Sequence, residues 1–344
     1  MILKIAKNLA AGAALLSVIF TTWFMLEIYV PPGRSEGHVV VNVEKGKSVT
    51  GIAFLLKDKK VIRKKWPFLF GYRIFYGGKP LKAGEYQFHL PVSVKEVLKQ
   101  IVEGRINLYP VTIQEGLTRR EVASHLNNII GIDEEEFLFF SQSVRLISRL
   151  DSLAENLEGY LFPETYHFPK DITARDVVKT MVQEFLRTYR AEWEEKASQL
   201  GMSVREIVIL ASLIEKETGR GDERKLISAV FHNRLRIGMK LDCDPTIIYA
   251  LKEEERFDGN LRKRDLRWDS PFNTYIYAGL PPCPIANPGK ESLKAALYPD
   301  DQDYLYFVSR NDGSHHFSST FREHQKAVDF YQKKRGEGPS PFGH

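Results

Sequence analysis

The 344-residue chain has room for two modest domains, and its 43% hydrophobic and 27% charged residues exclude disorder, collagen and coiled coil as global descriptions. A formal net charge of +5 is too small to suggest a nucleic-acid partner, although Lys57, Lys59, Lys60, Arg63, Lys64 and Lys65 fall in one short stretch. That stretch reads either as a solvated face or as attraction to an anionic surface, lipid or cell wall.

Leu9 to Leu26 carries no charge and is long enough to cross a bilayer as a helix, predicted over residues 9–30. A cleavable signal peptide normally has a shorter apolar region followed by a small-x-small site, and none follows Phe20. Lys4 and Lys7 precede the span, so the positive-inside tendency places residues 1–8 in the cytoplasm. Everything after Val30 then lies outside a single-pass cell inner (cytoplasmic) membrane protein. Residues 31–37, with Pro31, Pro32 and Gly33, read as a stiff linker that lifts the rest off the membrane.

Residues 38–132 read as a small α+β module. His38 to Val43 alternates as a strand, Gly46 turns the chain, and Ser48 caps a helix carrying Ile52, Ala53, Leu55 and Leu56. A second copy starts at Val111 and keeps the turn glycine at Gly116, with Val122, Ala123 and Leu126 on the positions of Ile52, Ala53 and Leu56. Between the copies lie a strand from Lys82 to Phe88 and a helix from Ser93 to Val102, with Ser93 and Glu96 at capping spacing. The module resembles LysM-like modules, which bind glycan; a pure spacer is the alternative.

Residues 133–335 read as a mainly helical catalytic domain, giving an α+β chain overall, and 336–344 as a flexible tail. Thr173 caps a helix whose apolar period runs through Val177, Met181, Phe185, Tyr189 and Trp193 until Gly201. Ser203 and Glu206 form a capping box for the next helix. Asp222 starts another that runs to Gly238, and Asp244 with Pro245 reads as an N-cap followed by a first-turn proline. Tyr304 to Ser309, the turn at Asn311 to Gly313 and His315 to Ser319 make a terminal hairpin before a closing helix.

The chemical signal is concentrated in Ala211 to Gly219, an apolar helix that ends in Glu215, Lys216, Glu217 and Thr218. A carboxylate in the last turn faces the negative end of the helix dipole and holds its proton more tightly, as a general acid requires. Read alone, the two glutamates are as compatible with a solvated helix end. No Cys/His cluster has metal-ligand spacing, so no metal or cofactor is expected. Cys243 and Cys283 permit one disulfide without requiring it.

Glu215-Lys216-Glu217-Thr218, Val230 to Met239 and Asp244 to Tyr249 together resemble the YceG/MltG family of endolytic murein transglycosylases. So do Leu157 to Tyr166, Asn273-Thr274-Tyr275, Gly279 to Pro282 and Tyr304 to Val308. The resemblance covers nearly the whole chain in order. It implies a membrane-anchored lytic transglycosylase that cuts peptidoglycan strands at the MurNAc–GlcNAc bond and leaves 1,6-anhydro-MurNAc ends. It also implies work beside peptidoglycan synthases, terminating nascent strands. The family's catalytic glutamate directly precedes threonine and maps onto Glu217, which leaves Glu215 as a solvent-facing or supporting residue.

Among the other motif residues, Asn233, Asn273 and Tyr275 are candidates to bind sugar or Glu217, with buried structural roles as the alternative. Asp244 and Thr246 read as helix-capping rather than catalytic. Tyr160, Phe162 and Tyr166 are candidates for sugar stacking or for the core, and Glu158 and Glu164 are the substitutes should Glu217 fail. His315 and His316 have no partner at metal or triad spacing and read as surface residues. The rival functions are a non-catalytic wall-binding scaffold and a hydrolytic muramidase, which would need a second carboxylate to handle water.

Overall fold

The computed structural model describes residues 2–31, 33 and 36–333. The chain divides into two compact units, Met1–Pro110 with His167–Ile172 and Val111–Tyr166 with Thr173–His344.

The first unit opens with α1 (Ile2–Tyr29), long and apolar enough over Lys7–Tyr29 to cross a membrane. Most of α1 is exposed, but Phe24 and Ile28 are buried where its last turns pack on two helices of the same unit. Residues 32, 34 and 35 of the expected linker lie outside the described residues.

Strands β1 (Gly37–Val43) and β2 (Gly84–Leu90) pair antiparallel, with Val41 opposite Tyr86. The period-2 alternation of β1 turns Val41 and Val43 inward. Helix α2 (Val49–Asp58) starts where Ser48 Oγ accepts the Gly51 N–H at 3.1 Å, and it buries Ile52, Ala53 and Leu56. Helix α3 (Lys65–Gly71) runs into a π-helical turn at Tyr72–Tyr76, and α4 (Val94–Glu103) is capped by Ser93. These elements share one core around Val41, Ile52, Leu56, Phe68, Tyr86 and Leu98. Each such buried side chain contributes about 1.5–3 kcal/mol.

Strand β3 (Tyr109–Thr112) leads into α5 (Arg119–Ile130), where Thr118 and Glu121 form a capping box and Val122, Ala123 and Leu126 are buried. Gly46 and Gly116 both hold left-handed φ, +82° and +78°, which other residues rarely adopt, so the turn glycines of the two strand-turn-helix copies share a backbone conformation. The second copy nonetheless belongs to the second unit, and the division falls at Pro110/Val111 instead of at 132/133. Hydrogen bonds decide this: Gly116 N donates to Asn287 O, Asn287 N to Leu117 O, and Arg119 N to the Glu158 carboxylate.

Helix α6 (Glu134–Phe140) follows, and β4 (Thr165–Phe168) pairs with β3. The helix expected from Thr173 to Gly201 is two, α7 (Ala174–Thr188) and α8 (Ala191–Gln199), because Tyr189 leaves the helix with ψ 90°. Its ring stacks on Phe185 and meets Trp193 edge-on, so the same aromatics that keep the helical period pack the corner. Helix α9 (Val204–Glu217) is buried continuously from Ile207 to Ile214.

Around α9 pack α8, α10 (Arg224–Arg236), α11 (Asp244–Glu253) and α12 (Lys290–Leu297). Helix α10 starts after Asp222, which pairs with Arg220 at 2.9 Å and caps nothing. Strands β5 (Tyr306–Ser309) and β6 (His315–Ser318) pair antiparallel before α13 (Phe321–Val328), and the expected tail at 336–344 lies outside the described residues.

Candidate active site

Helix α9 is fixed at both ends of its buried run. Ser203 Oγ accepts the Glu206 N–H at 3.2 Å while Glu206 Oε2 accepts the Ser203 N–H at 2.8 Å. Further along, Ser212 Oγ donates to Ile209 O and accepts the Ile285 N–H. Glu217 is the last helical residue, in line with buried Leu210 and Ile214 at i, i+4, i+7, before Thr218 turns extended. The residue keeps partial exposure, but its carboxyl is enclosed by protein, and Oε1 accepts from the buried Cys243 thiol at 3.0 Å.

Burial is the largest influence on this carboxyl and raises its pKa above the ordinary glutamate value. The Cys243 hydrogen bond opposes that rise, the Asp244 charge adds to it, and positive charge on His315 and Arg234 pulls the other way. The helix end expected from sequence is present, but desolvation leads. The same burial, with the Glu217 carboxylate beside it, pushes the Cys243 thiol well above its usual range, so this sulfur is a neutral hydrogen-bond donor and not a thiolate. Both cysteines are free, without the disulfide that sequence permits.

A network holds Cys243 against Glu217. Its N–H donates to Thr274 Oγ1 at 3.0 Å, and fully buried Thr246 donates from Oγ1 to Cys243 O at 2.7 Å. Asn273 spends its amide on Leu266 O and Trp268 O and accepts the Tyr275 N–H, and Tyr275 Oη donates to Asp244 Oδ1 at 2.6 Å. Cys243, not Asp244, is the N-cap of α11, because the Asp244 carboxylate turns to Tyr275. Thr246, Asn273 and Tyr275 thus support the loop that carries Cys243 and Asp244.

Two further side chains that act on the Glu217 carboxyl come from β6 and α10. His315 Nδ1 lies 2.6 Å from Glu223 Oε2, and its N–H donates to Glu223 Oε1 at 2.9 Å. His315 is therefore a partnered residue, not the surface group expected from sequence. Arg234, buried on α10, donates to Leu305 O at 2.6 Å and Leu241 O at 2.8 Å.

The remaining candidates separate from this cluster. Glu215 does not face solvent: Oε2 accepts the Gly289 N–H at 2.8 Å and Oε1 accepts from Arg224 at 3.3 Å, with 6% of its side chain exposed. Glu158 is buried at the N-terminus of α5, accepting from Arg119 N at 2.9 Å and Asn287 Nδ2 at 3.1 Å, and burial pushes its pKa up to about 8. Glu164 is exposed, its Oε1 accepting the N–H of neighbouring Thr165. Tyr160, Phe162 and Tyr166 lie in the core: Tyr160 Oη donates to Asp151 Oδ2 and Tyr166 Oη to Phe162 O.

Asn233 uses Nδ2 on Gln302 O and Tyr304 O, and its Oδ1 accepts from Arg236. It lines a groove of about 770 Å³ together with Gly279 to Pro282, and Glu217 is not part of that lining. Sequence reasoning missed Cys243, Glu223 and His315 as parts of the site, and Asn287 as the clip between Leu117, Glu158 and Leu161. A cysteine at the boundary of the Asp244 motif was the one available signal for the first.

The profile described as the YceG-like family matches residues 41–330. The endolytic murein transglycosylase of Bacillus subtilis (strain 168) is 33% identical over 323 residues, spanning 88% of this chain and 87% of that protein. The endolytic murein transglycosylase of Streptococcus pneumoniae (strain D39) is 28% identical over 342 residues, 89% of this chain and 60% of that longer protein. A crystal structure of a yceG-like protein from Listeria monocytogenes, 32% identical, superposes with a TM-score of 0.58 over 85% of this chain and 100% of that one.

Proposed function

The chain belongs to the YceG-like family, and on that premise we propose that Glu217 is the acid and base with which it cuts peptidoglycan. The protein is an endolytic murein transglycosylase, a lyase acting on glycan strands. The observation that carries the assignment is the Glu217 carboxyl, enclosed at the end of a buried helix with its pKa raised.

In the ground state the protonated Glu217 donates to the oxygen that links MurNAc to GlcNAc, as a carboxyl held above its ordinary pKa is fitted to do. The departing bond leaves an oxocarbenium-like sugar, and the new carboxylate takes the proton of the MurNAc 6-hydroxyl. Attack by that oxygen closes the 1,6-anhydro ring and returns the proton to Glu217. The Cys243 thiol steadies the carboxylate between the two transfers. Glu215, Glu223 and Glu158 are each committed to partners, which supports a one-carboxylate route. A hydrolytic muramidase would need a second carboxylate to handle water.

In the fuller reading, α1 crosses the membrane once with its N-terminus in the cytoplasm and the catalytic unit outside, supported by Lys4 and Lys7 before the span. Residues 38–132 act as a LysM-like module that binds glycan, and the enzyme works beside peptidoglycan synthases to end nascent strands. Protease added to spheroplasts should degrade everything beyond α1, and full protection would refute that topology. For the site, Glu217→Gln should lower strand cleavage on the order of a hundredfold or more, about 3 kcal/mol of barrier. Retained cleavage by the folded variant would remove Glu217 from its role.

A further inference from the structure

We infer that the helical segment Lys65–Tyr76 of the first unit lies in the surface of an anionic phospholipid bilayer, the same one α1 enters. The inference rests on the reading that α1 crosses a membrane. The segment, α3 with its π-helical turn, presents Trp66, Phe70 and Ile74 at i, i+4, i+8, and they are 61%, 46% and 61% exposed. Its opposite side is anchored in the core through Pro67, Phe68 and Gly71. Phe54, 53% exposed, adds to the apolar patch, and the Lys65 ammonium lies 3.3 Å from its ring centre.

Depth follows from contacts inside the unit. Lys64, directly before the segment, reaches Glu27 Oε1 at 2.6 Å and lies 5.5 Å from the Trp23 ring centre. At the other end Phe75 meets Tyr29 edge-on, with ring centres 6.4 Å apart. Both ends of the segment therefore stand at the level of the last two turns of α1. A helix rises about 1.5 Å per residue, so those turns fill roughly the outer 10 Å of the span, where headgroups and the aromatic belt lie.

Charge completes the match. Arg73 lines one groove with Trp66 and Phe70, and Lys57, Lys59, Lys60, Arg63 and Lys64, all exposed, directly precede the segment, with Asp58 the acid within the run. An apolar stripe rimmed by Lys and Arg beside a membrane-entering helix is the composition of an interfacial helix on anionic lipid. The first unit is thereby held at the bilayer surface.

The test uses the full chain in vesicles of phosphatidylcholine and phosphatidylglycerol in which the lipids carry bromine high on the acyl chains. Tryptophan quenching is compared among wild type, Trp66→Phe and Trp23→Phe. The proposal expects both substitutions to remove a quenched component. It also expects Phe70→Asp with Ile74→Asp, both outside the core, to abolish the Trp66 component while far-ultraviolet circular dichroism is unchanged. Quenching of Trp23 without Trp66 overturns the proposal and leaves the anchor standing. Absence of both overturns the anchor reading and this inference with it, and Trp66 quenching that is no weaker in phosphatidylcholine alone overturns the anionic assignment.

Discussion

Replacing Glu215 with alanine separates the two glutamates of the helix end by opposite effects. Glu215 accepts the Gly289 N–H at 2.8 Å and the Arg224 guanidinium at 3.3 Å with 6% and 15% of the two side chains exposed, so truncation strands both donors. A stranded buried N–H costs about 1–3 kcal/mol, and a buried ion pair broken from one side costs about 3–5 kcal/mol. Arg224 also reaches Glu115 at 3.4 Å, which softens the second loss. A combined cost of about 3 kcal/mol corresponds to a fall in melting temperature of about 6–12 °C for a unit of this size.

Glu215→Gln keeps an acceptor for Gly289 and should fall between the wild type and alanine. The assay is thermal unfolding of each variant paired with strand cleavage per folded molecule below its transition. Glu215→Ala should melt early yet cut at a rate near wild type. Unchanged melting with lost cleavage would refute the structural reading of Glu215 and make it a rival for the acid.

Glu158, pushed up to about 8 by burial, supplies a pH test. A carboxyl with a raised folded pKa costs no stability below its unfolded pKa and progressively more as pH climbs towards the folded value. Relative to Glu158→Gln, wild type should lose on the order of 3 kcal/mol between pH 5 and 7.5, read from urea midpoints. A pH-independent difference would contradict this. Cys243→Ala removes the donor that lowers the Glu217 pKa, so the alkaline limb of cleavage should move to higher pH, and a limb moving down would refute the sign. Tyr160→Phe loses only the bond to Asp151 and should cost about 1–2 kcal/mol of stability while the substrate KM stays put. A raised KM with unchanged stability would restore Tyr160 as a sugar contact.

Local signals made much of the fold legible. Ser48, Ser93, Thr173 and Ser203 cap the helices they were expected to start, because a cap is decided within four residues. The Tyr189 corner was hidden because an unbroken apolar period fits two helices packed around one aromatic cluster as well as one long helix. Helix α3 was hidden because its basic start and exposed Trp66, Phe70 and Ile74 leave no ordinary inward-facing stripe. At the site, the position of Glu217 was readable from the helix end and the family motif. Its partners were not, since Cys243 and His315 reach it and Glu223 across 26 and 92 residues of chain. Such long-range pairs depend on packing around α9, which no local pattern encodes.

The central claim is that one carboxyl, Glu217, moves a proton within the sugar without adding water. Mass spectrometry of peptidoglycan cut in oxygen-18 water by the chain from Gly37 onward tests it most directly. The fragments should end in 1,6-anhydro-MurNAc, one water lighter than reducing ends, inert to borohydride and free of the label, and Glu217→Gln should yield none of them. Reducing ends that carry the label would contradict the account and put a hydrolytic muramidase in its place.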